Sequence, residues 1–369
     1  MMMKALVIGG TGPSGPYVVR GLVSRGYKVT ILHRGAHEIP LPDEVDHIHG
    51  DAHFQAPGDI VEALKGQTFD VVIATYGRLR RIAEAMKGRT QRFIAIGGTP
   101  AYKGWRKPAL APEGLPTPVR EDTTTLHDNP DLDLYGYLIV MTERTIMENH
   151  RAGHYQATIF RYPQIYGPWQ PGPRDWSIVR RILDGRKRFI LPDGGLTIET
   201  WCYGENAAHA VLLAVDQPDR SVGQIYHVGD ESPMSLRRRV HVISRIMGHE
   251  WELVEIPRAL APPTFPYLTH GSHHRILDLT KIKTELGYRD VVPAEEGVEK
   301  TVRWLQENRP APRGQEEMQL KDPFDYAAED RFIEAFQECI RRMALVPWTP
   351  WEPGLSRYAV LPDVPRASP

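Results

Sequence analysis

Three glycines spaced three residues apart near the start of the chain constrain its fold more than any other feature. Gly9, Gly12 and Gly15 follow a short apolar run, residues 5–8, and the stretch after them carries apolar side chains at helical spacing. A β-branched segment, residues 27–32, comes next, so the pattern predicts a βαβ unit of about 30 residues. Such a loop lets the backbone approach a pyrophosphate, and the helix behind it offers N–H groups. The sequence therefore predicts a dinucleotide-binding loop, rather than a merely structural turn, made of Gly9, Thr11, Gly12, Pro13, Ser14 and Gly15.

The composition limits the classes of protein to which the chain can belong. Its 369 residues carry 45 Lys and Arg against 46 Asp and Glu, a net charge of −1, so nothing points to nucleic acid or an acidic membrane surface. The two cysteines, Cys202 and Cys339, lie far apart and predict no disulfide framework. The chain shows no signal-peptide pattern and no uncharged run of about 20 apolar residues. We therefore expect a cytoplasmic protein that binds a small-molecule substrate, without a nucleic-acid or membrane partner.

The end of the second predicted strand bears on the choice of cofactor. In NAD-specific folds an acidic residue near this position binds the ribose 2′-hydroxyl, whereas an arginine accommodates a 2′-phosphate. The sequence has His33 and Arg34 there, with no acid. It therefore favours NADP as the cofactor, with NAD as the second choice. The alternative is that Arg34 is a solvated loop residue.

Strands and helices alternate along the rest of the first half, which predicts an α/β fold with a Rossmann-like, doubly wound parallel sheet. Ligands of such sheets bind beyond the carboxyl ends of the strands. The residues expected there, besides the glycine loop, are His33, Arg34, Asp51, Ala52, Thr75, Tyr76, Thr99 and Tyr162. The predicted helices are 59–65, 78–87, from about 135 to 150, 177–183, 205–215, 236–247, 278–287 and 295–305, and the further strands are 70–74, 92–96, 158–162, 224–228 and 251–256.

The segment of residues 47–53 alternates polar side chains with others. If it is a strand, His47, His49, Asp51 and His53 face one side, and imidazole and carboxylate groups suit several metals. Alternating polar residues on a half-exposed strand explain the same pattern without a metal. We favour the second interpretation and predict no metal site.

Two segments outside the alternating pattern differ in composition. Residues 100–134 are rich in proline and are expected to form a loop on the substrate side of the crevice. Residues 306–369 carry nine prolines and two tryptophans around one amphipathic stretch, 330–343. This extra C-terminal tail is compatible with covering the crevice or with packing on a second subunit of a homodimer.

Motifs along residues 3–305 resemble the extended short-chain dehydrogenase/reductase family, the NAD(P)-dependent epimerases and dehydratases. In chain order, the motifs are the glycine loop, Tyr135-Gly136, Arg161-Tyr162-Pro163-Gln164-Ile165-Tyr166-Gly167-Pro168, Tyr203-Gly204-Glu205-Asn206-Ala207-Ala208 and Glu285-Leu286-Gly287-Tyr288. The resemblance implies a Rossmann domain of residues 1–168, to which 198–228 return. It also implies a smaller substrate domain of residues 169–197 and 229–305, with 306–369 as an extension.

The resemblance also implies an active site built from a Ser or Thr after the fifth strand and a Tyr-x-x-x-Lys motif. Tyr135 matches the tyrosine, and Thr99, next to Gly98 at the serine position, is a substitute for the serine. Ile139 stands where the lysine is expected. A free phenol has a pKa of about 10, so without the lysine it is a poor base at neutral pH but can still donate a proton. Reduction of a carbonyl or conjugated alkene is the direction that Tyr135 best supports, and the alternative is a buried phenol at a helix start.

The substrate side of the crevice is less well defined. Arginines and one lysine between residues 174 and 188 could bind an anionic group, although most are expected on a solvated helix face. The candidate substrate residues are Arg174, Trp176 and Tyr203. Three hypotheses remain: an NADP-linked oxidoreductase or isomerase for a small organic or sugar-like molecule, a catalytically silent NADP(H) sensor or scaffold, and an enzyme of non-redox chemistry.

Overall fold

The computed structural model describes residues 2–35, 39–50, 57–75, 77–123, 126–261 and 273–349. The chain divides into two compact units, residues 1–324 and residues 325–369. The strands are β1 Lys4–Ile8, β2 Lys28–His33, β3 Asp46–His49, β4 Phe69–Ala74, β5 Thr90–Gly98, β6 Gln156–Tyr162, β7 Gln164–Tyr166, β8 Arg188–Pro192, β9 Ile198–Glu199, β10 Trp201–Tyr203, β11 Gln224–His227, β12 Met234–Ser235 and β13 Glu252–Ile256. The helices are α1 Gly15–Ser24, α2 Pro57–Ala63, α3 Leu79–Ala85, α4 Leu134–Arg151, α5 Trp176–Leu183, α6 Gly204–Asp216, α7 Pro218–Ser221, α8 Leu236–Met247, α9 Thr280–Leu286, α10 Ala294–Glu307, α11 Gln315–Leu320 and α12 Tyr326–Met343. The elements predicted from the sequence are present close to their predicted bounds.

The centre of the first unit is a parallel sheet of seven strands in the order β11-β6-β5-β4-β1-β2-β3. The chain runs outward from β1 through β2 to β3 and then crosses back to β4 on the other side of β1. Strand order reverses at this point, and ligands of open α/β sheets bind at such reversals, beyond the carboxyl ends of the strands. The predicted α/β fold, with its doubly wound parallel sheet, is confirmed.

The inner strands of the sheet are buried on both faces because their side chains are mostly apolar. Along β1, Leu6 and Val7 are each fully buried, and they point into different hydrophobic clusters on opposite faces, as strand alternation requires. On one face α6 packs on α1 so closely that a Cβ at Gly21 would lie 2.3 Å from Leu212 Cδ1. The rigid frame that results holds the carboxyl ends of β1, β2, β4 and β5 in fixed positions.

Helix α4 begins where a side-chain cap satisfies its first amides. The Asp133 carboxylate accepts hydrogen bonds from the backbone N–H of Tyr135 at 3.1 Å and of Gly136 at 3.3 Å. A Cβ on Gly136 would lie 2.3 Å from His127 Cδ2, so a glycine is needed for this close approach. The cap and the close approach place Tyr135 in the first helical turn.

The proline-rich segment before α4 is more ordered than a loop of its composition suggests. Tyr102, Trp105 and Val119 are buried in a small hydrophobic cluster with Leu277. Tyr102 forms a β-bridge with Leu126, and Val119 forms one with Leu277. Tyr102, Trp105 and Val119 are enough to anchor the segment, because each of the three is almost fully buried.

Smaller elements complete the two units. β8 pairs with β13, and α5, α8 and α10 pack on one another. In the second unit the predicted amphipathic stretch lies within α12, whose N-cap, Asp325, accepts a hydrogen bond from Ala328 N at 3.0 Å. Within the described ranges, no helix has the length and apolarity needed to cross a membrane.

Candidate cofactor groove and active site

The loop between β1 and α1 has the conformation that its glycines predict. Gly9 and Gly10 have φ values of 101° and 85°, which favour glycine. A Cβ on Gly15 would lie 2.3 Å from the carbonyl carbon of Gly10, so no side chain fits there. A Cβ on Gly12, by contrast, would meet no heavy atom within 4 Å. The chain's own packing therefore does not require glycine at position 12, and the space beside it is open for a ligand.

A single groove runs along this loop and joins most of the predicted cofactor residues. The structure brings together in its lining Gly9, Thr11, Gly12, Pro13, Ser14, Gly15, His33, Arg34, Thr75 and Tyr162. The N-terminus of α1 points its first turn at the same groove, which suits an anionic group. Asp51, Ala52 and Tyr76 lie outside the described residues. The groove thus has the open glycine cradle and the positive helix end that the diphosphate of a dinucleotide requires.

The opposite wall of the groove comes from a part of the chain that the sequence did not connect with it. Gln315, Glu316 and Gln319 of α11 line the groove together with Trp304. Glu317, on the same helix, is 4% exposed and accepts hydrogen bonds from Trp176 Nε1 at 2.8 Å and Arg180 Nη1 at 2.6 Å. The first residues of the predicted tail are therefore part of the groove and are fixed to α5.

A second anchor fixes the end of α11. Asp322 and Arg181 form a two-point ion pair, with Nη1–Oδ2 at 2.6 Å and Nη2–Oδ1 at 3.0 Å. Their side chains are 0% and 1% exposed. Arg180 and Arg181, candidates for an anion site in the crevice, thus hold the chain segment that follows α10.

The two aromatic candidates for substrate binding are also buried. Trp176 is 3% exposed beneath α11, and Tyr203 is 1% exposed with its hydroxyl 3.3 Å from that of Tyr17. A second cleft adjoins the groove on the side of α4. Neither Trp176 nor Tyr203 is among the described residues that line this second cleft, whereas Arg174 is. The geometry therefore supports Arg174 alone of the three predicted substrate residues.

The second cleft continues the groove toward α4. Thr75, Ile96 and Tyr162 line both, so the two form one continuous depression at the carboxyl ends of β4, β5 and β6. Thr99 and Tyr135 both line the cleft. Tyr135 is 56% exposed, so it is not a buried phenol. The two predicted catalytic residues therefore line the same cleft, Tyr135 with an exposed ring and Thr99 buried at 2% exposure.

Ile139 and Arg106 form the wall beside Tyr135. Ile139 lines the cleft, and its Cδ1 would lie 4.0 Å from a Cβ on Gly98. The guanidinium of Arg106 stacks on the Tyr135 ring, with Cζ 4.5 Å from the ring centroid. An apolar side chain, that of Ile139, thus lines the cleft near Tyr135, and a cation from the proline-rich segment, Arg106, contacts the phenol ring.

The described lining of the cleft carries more arginines than carboxylates. Its described lining holds two carboxylates, Glu143 and Glu199, and each is ion-paired with a buried arginine, at 2.8 Å to Arg161 and 2.7 Å to Arg275. Its arginines are Arg78, Arg80, Arg81, Arg106 and Arg174. A surface with this charge balance favours an anionic substrate.

A buried polar network lies behind the cleft. Arg161 donates to both oxygens of Glu143 and, at 2.6 Å, to the Tyr102 hydroxyl. The Tyr102 hydroxyl in turn lies 2.5 Å from His227 Nε2, while the His227 Nδ1 is 3.1 Å from the carbonyl oxygen of Asp278. A neutral His227 satisfies both contacts, with Nδ1–H donating and Nε2 accepting. Burial lowers the pKa of His227 to about 3 and raises that of Tyr102. The network therefore holds α4 on the sheet without a mobile proton at neutral pH.

Comparisons with known proteins agree with this arrangement. A family model described as the NAD dependent epimerase/dehydratase family matches residues 5–229. UDP-N-acetyl-alpha-D-glucosaminuronate decarboxylase of Bacillus cytotoxicus is 25% identical over 334 residues, 83% of this chain and 99% of the relative. The 3-diazoavenalumate denitrifying reductase of a Streptomyces species is 26% identical over 311 residues, 79% of this chain and 97% of the relative.

Solved structures share the fold. UDP-glucuronic acid 4-epimerase from Bacillus cereus, in complex with NAD, superimposes with a TM-score of 0.64 at 17% identity, covering 84% of this chain and all (100%) of that one. Epimerase Mth375 from Methanothermobacter thermautotrophicus gives a TM-score of 0.67 at 15% identity, covering 83% of this chain and 93% of that one.

Proposed function

We infer that this chain, which belongs to the NAD dependent epimerase/dehydratase family, is an enzyme that uses NADPH to reduce a small, anionic organic or sugar-like substrate. The observation that carries the proposal is that the cleft offers a proton donor, the Tyr135 phenol, but no lysine at the expected position to make that phenol a base. Tyr135 is exposed in the cleft, which the buried Thr99 also lines, and Ile139 occupies the wall where the family's lysine is expected. Reduction requires a proton donor beside the substrate oxygen, whereas oxidation of an alcohol requires a base.

The groove is suited to bind a dinucleotide, and the arginine at the end of β2 favours NADP over NAD. The loop amides and the N-terminus of α1 would hold the diphosphate against Gly12. Arg34 lines the groove at the end of β2, where a guanidinium suits a 2′-phosphate. When bound, the cofactor supplies the hydride. The structural relative from Bacillus cereus was solved with NAD, so NAD remains the alternative cofactor.

The chain's own groups would bind and protonate the substrate. The Tyr135 hydroxyl donates a proton to the oxygen of a carbonyl or of a conjugated alkene acceptor, and the Thr99 hydroxyl donates a second hydrogen bond. Arg174 and Arg106, on the cleft wall, would bind the anionic group of the substrate. The two full-length relatives, one a decarboxylase of a charged nucleotide sugar and one named a reductase, are consistent with this class of substrate and this direction.

The experiment is a substrate panel followed by one substitution. NADPH oxidation is measured with anionic carbonyl compounds, enoates and nucleotide sugars, and the best substrate is retained for Tyr135→Phe. We expect turnover to fall by about 10²–10⁴-fold with NADPH affinity unchanged. Tyr137→Phe is the matched control, since Tyr137 lies one position past the Gly136 contact and outside the described cleft lining. Equal turnover of the Tyr135→Phe variant and the wild type would remove the phenol from the mechanism.

A second function is favoured by the same departure from the family motif. With Ile139 at the lysine position and Gly98 at the serine position, the site could bind NADP(H) without catalysing a reaction, as a sensor or scaffold. Tight NADPH binding together with no turnover on any member of the panel would support this alternative over the reductase.

A further inference from the structure

Three histidines come together where β2 and β3 end. His47 and His49 are two residues apart on β3, so they share one face of the strand. β2 pairs with β3 in parallel, and His33 lies directly opposite His49. The ring centroids are 5.1 Å apart for His33–His47 and 5.0 Å apart for His33–His49. Of the segment 47–53, residues 47–49 lie in β3 and residues 51–53 lie outside the described residues. The neighbouring strand β2 adds a third imidazole to the polar face of β3.

The ring nitrogens of this cluster are spaced as ligands of one ion. One nitrogen of each ring lies within 4.8 Å of those of the other two. His33 Nε2 and His47 Nδ1 are 3.0 Å apart. Zinc–imidazole bonds of about 2.0–2.1 Å in a tetrahedral site place ligand nitrogens about 3.3 Å apart. Small side-chain rotations would bring all three nitrogens onto a single centre.

The burial of the cluster suits a metal that enters from solvent. His33 is 4% exposed at the end of an inner strand, whereas His47 and His49 are exposed on the edge strand β3. The sheet therefore holds the His33 ring in place, while the exposed rings of His47 and His49 leave the site open to an ion from solvent. We propose that His33, His47 and His49 bind one divalent transition-metal ion, with Zn²⁺ as the preferred ion and a fourth position open to water. Neutral imidazoles are ligands for such ions and poor ligands for Mg²⁺.

The competing explanation uses the same residues in another charge state. His33 also lines the cofactor groove beside Arg34. Protonated imidazoles there would bind a phosphate group instead of a cation. The two cases differ in their pH dependence, because metal binding requires deprotonated rings and weakens as the pH falls, whereas phosphate binding requires protonated rings and strengthens.

The test is calorimetric titration of ZnCl₂ into the full-length, chelator-treated protein near pH 7.5, without cofactor. We expect one ion per chain, binding at least tenfold weaker in His47→Gln and in His49→Gln, and weaker binding at pH 6. The exposed His241, on α8, provides the matched control, and His241→Gln should bind Zn²⁺ as the wild type does. Mg²⁺ should give no saturable signal. Co²⁺ should give the visible absorption of a four-coordinate site in the wild type and lose it in both variants.

Both variants change exposed side chains, and their melting temperatures without metal establish that they are folded. Zn²⁺ should raise the melting temperature of the wild type and of His241→Gln but not that of the other two variants. Unchanged Zn²⁺ affinity in both β3 variants, or no saturable binding by the wild type, would overturn the proposal. The proposal would also be overturned if His47→Gln and His49→Gln kept their Zn²⁺ affinity and lost only affinity for adenosine 2′-phosphate at low pH, because the histidines would then bind phosphate and not a metal. None of these readouts depends on turnover, so the metal site stands or fails separately from the reductase.

Discussion

The ion pair between Arg181 and Asp322 fixes the wall of the cofactor groove, and Asp322→Asn tests that role. The substitution leaves the Arg181 guanidinium, 1% exposed, without its carboxylate, while the hydrogen bond from Nη1 to Ser177 O at 2.8 Å remains. Removing one partner of a buried pair typically costs about 3–5 kcal/mol. Asp322 also accepts a hydrogen bond from Phe324 N at 3.1 Å, which an amide oxygen can retain.

The cost should appear as local opening rather than as global unfolding. Helix α11 has six residues, and Glu317 is its other described anchor, so the segment can detach while the sheet stays folded. An opening free energy lower by about 3–5 kcal/mol corresponds to a fall in amide protection of about 10²–10³-fold or more across residues 315–324. NADPH affinity should fall with it, because Gln315 and Gln319 line the groove.

Hydrogen exchange by mass spectrometry, with NADPH titration in parallel, measures both effects. Glu299→Gln is the matched control, because it breaks the exposed Arg303–Glu299 pair, whose side chains are 70% and 41% exposed. Such a pair contributes about 0–1 kcal/mol. The double variant Arg181→Met with Asp322→Leu should recover protection, since apolar residues can replace a buried pair. Wild-type protection of residues 315–324 in Asp322→Asn would refute this account of the groove wall.

Two further predictions concern charge. Arg34→Ala should weaken NADPH binding by about tenfold or more and leave NADH binding nearly unchanged, because a charge-assisted hydrogen bond to the 2′-phosphate is worth about 1.5–3 kcal/mol. Parallel titrations of the two dinucleotides measure this difference. Equal losses of affinity for both would contradict an NADP preference. His227 has a folded-state pKa of about 3, below the unfolded value, so its contribution to stability is lost as pH falls from about 6.5 toward 3, by about 2 kcal/mol at pH 5. Urea unfolding at pH 7 and pH 5 should therefore show a larger loss for the wild type than for His227→Gln, and identical losses would mean that His227 is not the group that titrates.

Local patterns were enough to predict the frame of the molecule. The spacing of Gly9, Gly12 and Gly15 between a strand and a helix predicts the loop, and alternating apolar strands predict the sheet. Tyr135 could be placed because the helix that contains it follows directly from helix-forming residues. Because ligands of such sheets bind beyond the carboxyl ends of the strands, most residues of the groove could be predicted from the sequence.

The remaining features depend on contacts between distant segments. Trp176 and Glu317 are 141 positions apart, so no local pattern indicates that α5 anchors the start of the tail. Arg106 stacks on Tyr135 only because the proline-rich segment packs through Tyr102 and Trp105. The cluster of His33 with His47 and His49 depends on which strand pairs with β3 and in which register. The one available signal was the polar alternation at residues 47–53, which does not include His33.

The most direct test of the central claim uses Gly12, where the chain leaves room that its own packing does not need. Gly12→Ala adds a Cβ that meets no protein atom within 4 Å, so the melting temperature should not change. The same methyl group would stand where the backbone must approach the diphosphate, and NADPH binding should weaken at least tenfold, about 1.4 kcal/mol. Calorimetric titration of NADPH and NADH into both proteins gives the answer. Wild-type affinity in the variant, or no binding of either dinucleotide by the wild type, would contradict the account.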